Sequence, residues 1–180
     1  MTAAEVVHPA ALSLPRWPAE QEPVDPGGTS YVVVAVGPDA EVAGVAGGWV
    51  RAAEALAPTA LAVLDAMSDP ADRTTLADVL DRARTGVRVL VVGGQYDVLQ
   101  TLAFAREIGL LPHELTSFVT HTRDLPLYCA HCRDTHRVEG EPGGEVTCPG
   151  CARRLEIHAH LSAARGSFLA SDARARELVR

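Results

Sequence analysis

The sequence predicts a small parallel α/β layer followed by a cysteine-bearing ribbon, and three observations carry that expectation. Two continuous β-branched runs end in glycine, "YVVVAVG" (31–37) and "VRVLVVGG" (87–94), the texture of strands buried on both faces. The segments between and after them carry apolar residues at helical spacing. All four cysteines fall in one stretch, "YCAHCRDTHRVEGEPGGEVTCPGC", as two C-x-x-C pairs.

Residues 1–30 hold Pro9, Pro15, Pro18, Pro23 and Pro26, then Gly27 and Gly28, with no sustained hydrophobic period. They read as a flexible or loosely docked arm, and Trp17 within it marks no site. From Tyr31 to His121 the alternation of strands and helices predicts one α/β domain. The first strand is followed by a helix across roughly 40–57 and a short strand "LAVL" at 61–64. "TTLADVLDRARTG" puts Leu76, Val79, Leu80 and Ala83 on one stripe, with Thr75 and Asp78 at capping-box spacing and Gly86 as the stop. "YDVLQTLAFAREIG" does the same with Val98, Leu99 and Leu102, and a last strand is expected at "LTSFV" (115–119).

A parallel sheet with glycines after its strands raises the question of a dinucleotide. The outline of residues 87–119 is similar to the last strand, helix and strand of ferredoxin reductase type nicotinamide domains, so the layer is expected to be a small, degenerate Rossmann-like sheet. The phosphate fingerprint is missing: in "GPDAEVAGVAGG", Asp39 stands where the second glycine belongs, and a carboxylate there repels phosphate. Asp39 and Asp97 are expected to be first-turn carboxylates that favour their helix dipoles. No nucleotide-binding residue is assigned.

The chain has 180 residues, a formal net charge of -7, and 16 basic residues that are all arginine. The missing lysine excludes Schiff-base chemistry and a Walker-type phosphate site. An acidic balance offers no surface to nucleic acid or to an anionic membrane, so proteins are the expected partners. No apolar run approaches the roughly 20 residues of a membrane span, and the Pro-broken start is unlike a secretory signal; a cytoplasmic protein is expected. In a reducing compartment, paired C-x-x-C motifs mean metal or redox chemistry rather than staples.

Cys129 and Cys132 form one knuckle, Cys148 and Cys151 the other, with 15 residues between. That is the spacing of a tetrahedral zinc site, in which each short loop turns two thiolates to one ion. The segment 122–160 is therefore expected to be a zinc ribbon, with "EPGGE" (141–145) as the turn of a hairpin whose strands hold Val138 and Val146. A segment this poor in large apolar residues cannot fold alone, whereas structural zinc contributes on the order of 10 to 16 kcal/mol of apparent free energy. One structural Zn2+ per chain is expected, with no open position for hydrolysis and hence no catalytic residue. Rubredoxin-type iron is the alternative, because a tetrathiolate holds it in the same geometry; against it, Arg133 and Ala152 occupy the positions that rubredoxin knuckles give to glycine. His131, His136, His158 and His160 lie nearby and are expected to be exposed or adjacent to the ligands. Residues 161–180 are expected to form a C-terminal helix or tail.

The degenerate α/β part, "LYCAHC", "VTCPGC" and the closing "HAHLSAARGSFL" together resemble the small subunit family of dimethylamine monooxygenase, the DmmA-like proteins, from about residue 31 to 170. The resemblance implies a multicomponent oxygenase that uses NADPH and dioxygen to demethylate dimethylamine. It also implies partner chains, a haem-containing oxygenase subunit and a flavin/iron-sulfur reductase subunit, in a hetero-oligomer where this chain is a non-catalytic accessory. The chain departs from the family pattern after the ribbon, where "HLS" and Phe168 stand in place of "HFS" and a tyrosine.

Overall fold

The computed structural model describes residues 13–175; the first 12 residues of the expected arm and the last five of the expected tail lie outside the described residues. Strands β1 (Ser30–Val36), β2 (Thr59–Leu64), β3 (Val87–Gly94) and β4 (Leu115–His121) form a parallel sheet in the order β2-β1-β3-β4. Helices α1 (Ala40–Glu54), α2 (Pro70–Asp81) and α3 (Gln95–Glu107) connect them. Alternation along β1 builds both faces. Tyr31, Val33 and Ala35 pack with Val42, Ala46 and Trp49 of α1, while Val32, Val34 and Val36 pack with Leu76 and Leu80 of α2 and Val98 and Leu102 of α3. The chain leaves β1 in one direction for β2 and returns on its other side to β3, so a crevice opens above the carboxyl ends of β1 and β3.

The expected capping box of the middle helix is not used. Helix α2 begins earlier, at Pro70, because Asp69 accepts from Ala71 N at 2.8 Å and proline at the first helical position needs no donor. Thr75 lies inside the helix and its hydroxyl donates to Ala71 O at 3.0 Å.

Residues 13–29 are docked rather than loose. Trp17 packs against the cores of both sheets and donates from Nε1 to Gln95 Oε1 at 3.0 Å. Further on, Glu22 O accepts from Trp49 Nε1 at 3.0 Å, Asp25 O accepts from Tyr31 OH at 2.7 Å, and the Asp25 carboxylate meets Arg88 Nε at 2.6 Å. The prolines exclude regular structure, yet an extended strap with an aromatic anchor gains its order from the domain beneath.

A second, five-stranded sheet holds β5 (Asp124–Cys129), β6 (Asp134–Glu139), β7 (Glu145–Thr147), β8 (Arg154–Ser162) and β9 (Ser167–Asp172), in the order β6-β5-β9-β8-β7. Two expectations fail here. The segments on either side of "EPGGE" do not pair as one hairpin: β6 pairs with β5 and β7 with β8, placing them at opposite edges. Each C-x-x-C is the turn of its own hairpin instead. Nor do residues 162–175 form a helix or tail, because β9 lies in the middle of the sheet, parallel to β5 and antiparallel to β8, with Phe168 and Ala170 in the core. The β-branched and aromatic content of "SFLASD" is modest, and burial between two neighbours decided its conformation.

Helix α3 joins the two sheets. Leu99 belongs to the core of the second sheet, while Val98 and Leu102 belong to the first. The β8–β9 turn rests on α3: Gln100 Nε2 donates to Arg165 O at 3.1 Å and Gly166 O at 2.9 Å. Gly166 has φ +59°, and a Cβ there would lie 2.3 Å from Leu99 O, so only glycine fits. Among the described residues, no helix is long and apolar enough to cross a membrane.

Candidate metal centre

The β5–β6 and β7–β8 hairpins bring their knuckles face to face. Sγ atoms of Cys129, Cys132, Cys148 and Cys151 lie within 4.8 Å of one another. Cys129 Sγ is 3.7 Å from Cys151 Sγ, and Cys132 Sγ is 3.7 Å from Cys148 Sγ. A tetrahedron of sulfurs around an ion at about 2.3 Å has edges of about 3.8 Å, so the donor set fits a tetrathiolate site. At that spacing a disulfide, with sulfurs about 2.05 Å apart, is not formed, and all four cysteines are free thiols.

Electrostatics favour a cation here. Burial pushes the Cys129 thiol up, but amide hydrogen bonds from Cys132 and His131, with the Cys132 and Cys148 thiols, outweigh it and bring Cys129 down to about 7. Burial, then the neighbouring Cys129 and Cys148, push Cys132 up to about 12. Burial likewise raises Cys148, against amide hydrogen bonds from Cys151 and Gly150. Cys132 and Cys148 thus resist ionising beside their neighbours, and a positive ion would offset that cost.

Each knuckle closes by the same backbone turn: Arg133 N donates to Cys129 O at 2.8 Å and Ala152 N to Cys148 O at 2.9 Å. Arg133 and Ala152 sit at φ 59° and 57°, the left-handed region that glycine enters freely. The non-glycine residues there leave the turn geometry intact, so residue type at these two positions does not by itself exclude iron.

Of the four nearby histidines, His136 touches the cluster. Its Nε2 lies 3.2 Å from Cys132 Sγ, within hydrogen-bonding distance of the sulfur. Gly150 leaves room for that ring, since a Cβ would stand 2.6 Å from His136 Cε1. His158 bonds instead to Ser171 Oγ at 2.9 Å, and His160 Nδ1 lies 3.1 Å from Ser13 Oγ. Sequence proximity could not rank these four; what separates them is the strand pairing, which folds β6 back over the first knuckle.

The crevice above the parallel strands is a cavity of about 650 Å³, lined by Asp39, Asp65, Asp97, Asp124 and Glu139 with His121, Arg123 and Arg137. Asp39 is the residue before α1 but makes no capping hydrogen bond with its side chain; its carboxylate faces His121 Nε2 at 3.8 Å and Arg123 at 3.9 Å. Asp97 is in the first turn of α3, yet it is buried and serves another purpose. Arg137, from β6, donates to both its oxygens at 2.6 and 2.7 Å, bonds Asp124, and stacks over Tyr96 at 4.0 Å. Asp97 Oδ1 also accepts from Met67 N at 2.9 Å. Sequence reasoning missed this cluster because its members are 40 and 13 residues apart in pairs. A second groove of about 520 Å³ sets Arg73 and Arg165 against Glu107 and Asp134, and so balances its own charge.

Residues 126–170 match the family described as dimethylamine monooxygenase subunit DmmA-like, C-terminal domain. The matched stretch runs from β5 into β9 and includes both knuckles. Over 172 residues the chain is 28% identical to the heme-dependent oxidative N-demethylase delta subunit of Ectopseudomonas mendocina (strain ymp), covering 94% of this chain and 91% of that protein. No solved structure matches. Over the two knuckles and the strands around them, this chain is therefore similar to the C-terminal domain of the DmmA-like proteins.

Proposed function

We propose that the chain is a non-catalytic, metal-stapled accessory subunit of an oxygenase-type complex for oxidative N-demethylation. The observation that carries this reading is the closed tetrathiolate: four sulfurs at tetrahedral spacing leave no coordination position for water or substrate. A delta subunit as a relative along nearly the whole chain supports assembly into a hetero-oligomer. Zn2+ is the ion we assign to Cys129, Cys132, Cys148 and Cys151, and its chemistry there is structural cross-linking of two hairpins. The haem, flavin and iron-sulfur centre, NADPH use and dimethylamine as substrate belong in this reading to partner chains of the complex.

The residues of this chain do the positioning. The amides of His131, Cys132, Gly150 and Cys151 support the thiolates of the first cysteine in each knuckle, and His136 supports Cys132. Cysteine ligands on two separate hairpins mean that the ion ties β5–β6 to β7–β8 across a sheet whose edges are β6 and β7. The exterior of that sheet is then a rigid face for a partner. A pyridine nucleotide in the crevice is disfavoured by its carboxylates, which repel a pyrophosphate.

Co-expression with a haem oxygenase chain and a flavin/iron-sulfur reductase chain tests the reading: the tagged protein is expected to retain at least one of them at low salt, and to contain one zinc per chain by elemental analysis. Retention of neither removes the subunit role. A second reading, a rubredoxin-like iron electron carrier, is compatible with the tetrathiolate and with the left-handed turns at Arg133 and Ala152. A red protein with thiolate-to-iron absorption bands would establish it, and a colourless zinc protein would dismiss it.

A further inference from the structure

Strand β6 begins at Asp134, two residues beyond Cys132, and its alternation sends His136 and Arg137 to opposite faces. His136 reaches back to Cys132 Sγ at 3.2 Å, while Arg137 enters the crevice of the other sheet and bonds Asp97 and Asp124. One short edge strand thus touches both the thiolate cluster and the carboxyl ends of the parallel strands. Among the described residues it pairs with β5 alone, and it enters the sheet directly from the first knuckle. Asp97 is buried, and without the guanidinium its second oxygen has no other partner among the described residues.

From this geometry we infer that Arg137 is a coupling residue: metal at the four thiolates fixes β6, and β6 holds the guanidinium that closes the crevice. The inference rests on the reading of the four cysteines as a metal site. Loss of the ion frees the knuckle end of β6, so Arg137 leaves Asp97 and the crevice opens at Met67, whose amide bonds the same carboxylate. The Leu127–Cys129 part of β5 stays in place, because β9 pairs with it on the other side. By linkage, the coupling is reciprocal, and removing the guanidinium weakens metal binding.

Hydrogen exchange on the zinc-loaded full chain, before and after chelation, tests this. The Met67 amide and the start of α3 are expected to exchange at least tenfold faster in the chelated protein, while β1 and α1 keep their protection. In Arg137→Met with zinc bound, the Met67 region is expected to be fast already, chelation to add little there, and Zn2+ affinity to fall about fivefold or more. Unchanged protection at Met67 after chelation, or equal Zn2+ affinity in wild type and variant, overturns the coupling. So does release that spreads equally to β1 and α1, since the ion would then support the whole chain rather than this joint. If Arg137→Met does not fold, the wild-type chelation experiment decides alone. A chain that binds no Zn2+ at all would remove the metal reading and the coupling with it; one that binds Zn2+ without altering exchange removes the coupling only.

Discussion

The two sheets solve the same problem by different means. The parallel sheet buries Val33, Val34, Val89, Val91 and Val92 completely between helices on both faces, so its stability comes from apolar area removed from water. The cysteine-bearing sheet has a smaller core around Leu125, Leu127, Leu155, Ile157 and Phe168, and its two hairpins meet at four thiols. A core of that size needs help, and the sulfurs supply a place for an ion to give it. The comparison teaches that one half is held by packing on both faces while the other brings four thiols together where an ion could tie its hairpins, with α3 and Arg137 as the joint.

The sharpest break in this comparison comes from the ligands. Cys148→Ser is expected to abolish stoichiometric zinc and to make residues 122–172 susceptible to trypsin while the parallel sheet resists; elemental analysis and limited proteolysis read both. Full zinc content in the variant would show that Cys148 is no ligand. The mirror experiment is Trp49→Ala, which empties the α1 face and is expected to cost about 3–5 kcal/mol in denaturant unfolding without loss of bound metal.

At the joint, Gly166→Ala forces a Cβ onto the α3 backbone and a side chain into a left-handed turn. A loss of about 1–3 kcal/mol is expected, read as a lowered melting temperature, and a neutral result would mean that the turn can leave α3 freely. His136→Leu is expected to retain the metal but weaken Zn2+ affinity about 10-fold to 100-fold, measured by chelator competition.

The smallest effect is in pH dependence. Arg88, with the Gly27 amide, holds the exposed Asp25 carboxyl below its ordinary 3.8, and the Arg174 amide and Arg153 do the same for Asp172. A depressed folded value means that the ionised form is favoured on folding. These contributions are therefore complete above about pH 4 and fade as pH falls through the lower folded values. Asp25→Asn and Asp172→Asn should lower stability slightly at pH 7, where both pairs are intact, and leave it unchanged in strong acid, so that the decline with falling pH is flatter; a pH profile identical to wild type in the double variant would contradict the pairing.

The strands at 31 and 87, the helices after them and the four ligand candidates were legible because each rests on a local pattern. β-branched runs, helical stripes and C-x-x-C spacing need no knowledge of distant residues. The capping box at Thr75 misled because Asp69 and Pro70 offered an earlier start of the same kind. The hairpin across "EPGGE" misled because a good turn does not decide which strands it joins, and each knuckle proved to be a tighter turn with better-matched partners.

What the sequence by itself determined is the chemistry: apolar alternation that must be buried on both faces, and four sulfurs whose spacing suits one ion. What only the tertiary structure decided is adjacency. The central place of β9, the contact of His136 with Cys132, the strap of Trp17 and the closure of the crevice by Arg137 all join residues far apart in the chain. Such contacts depend on which surfaces are left to pack once the local elements exist, and no short-range pattern encodes that choice.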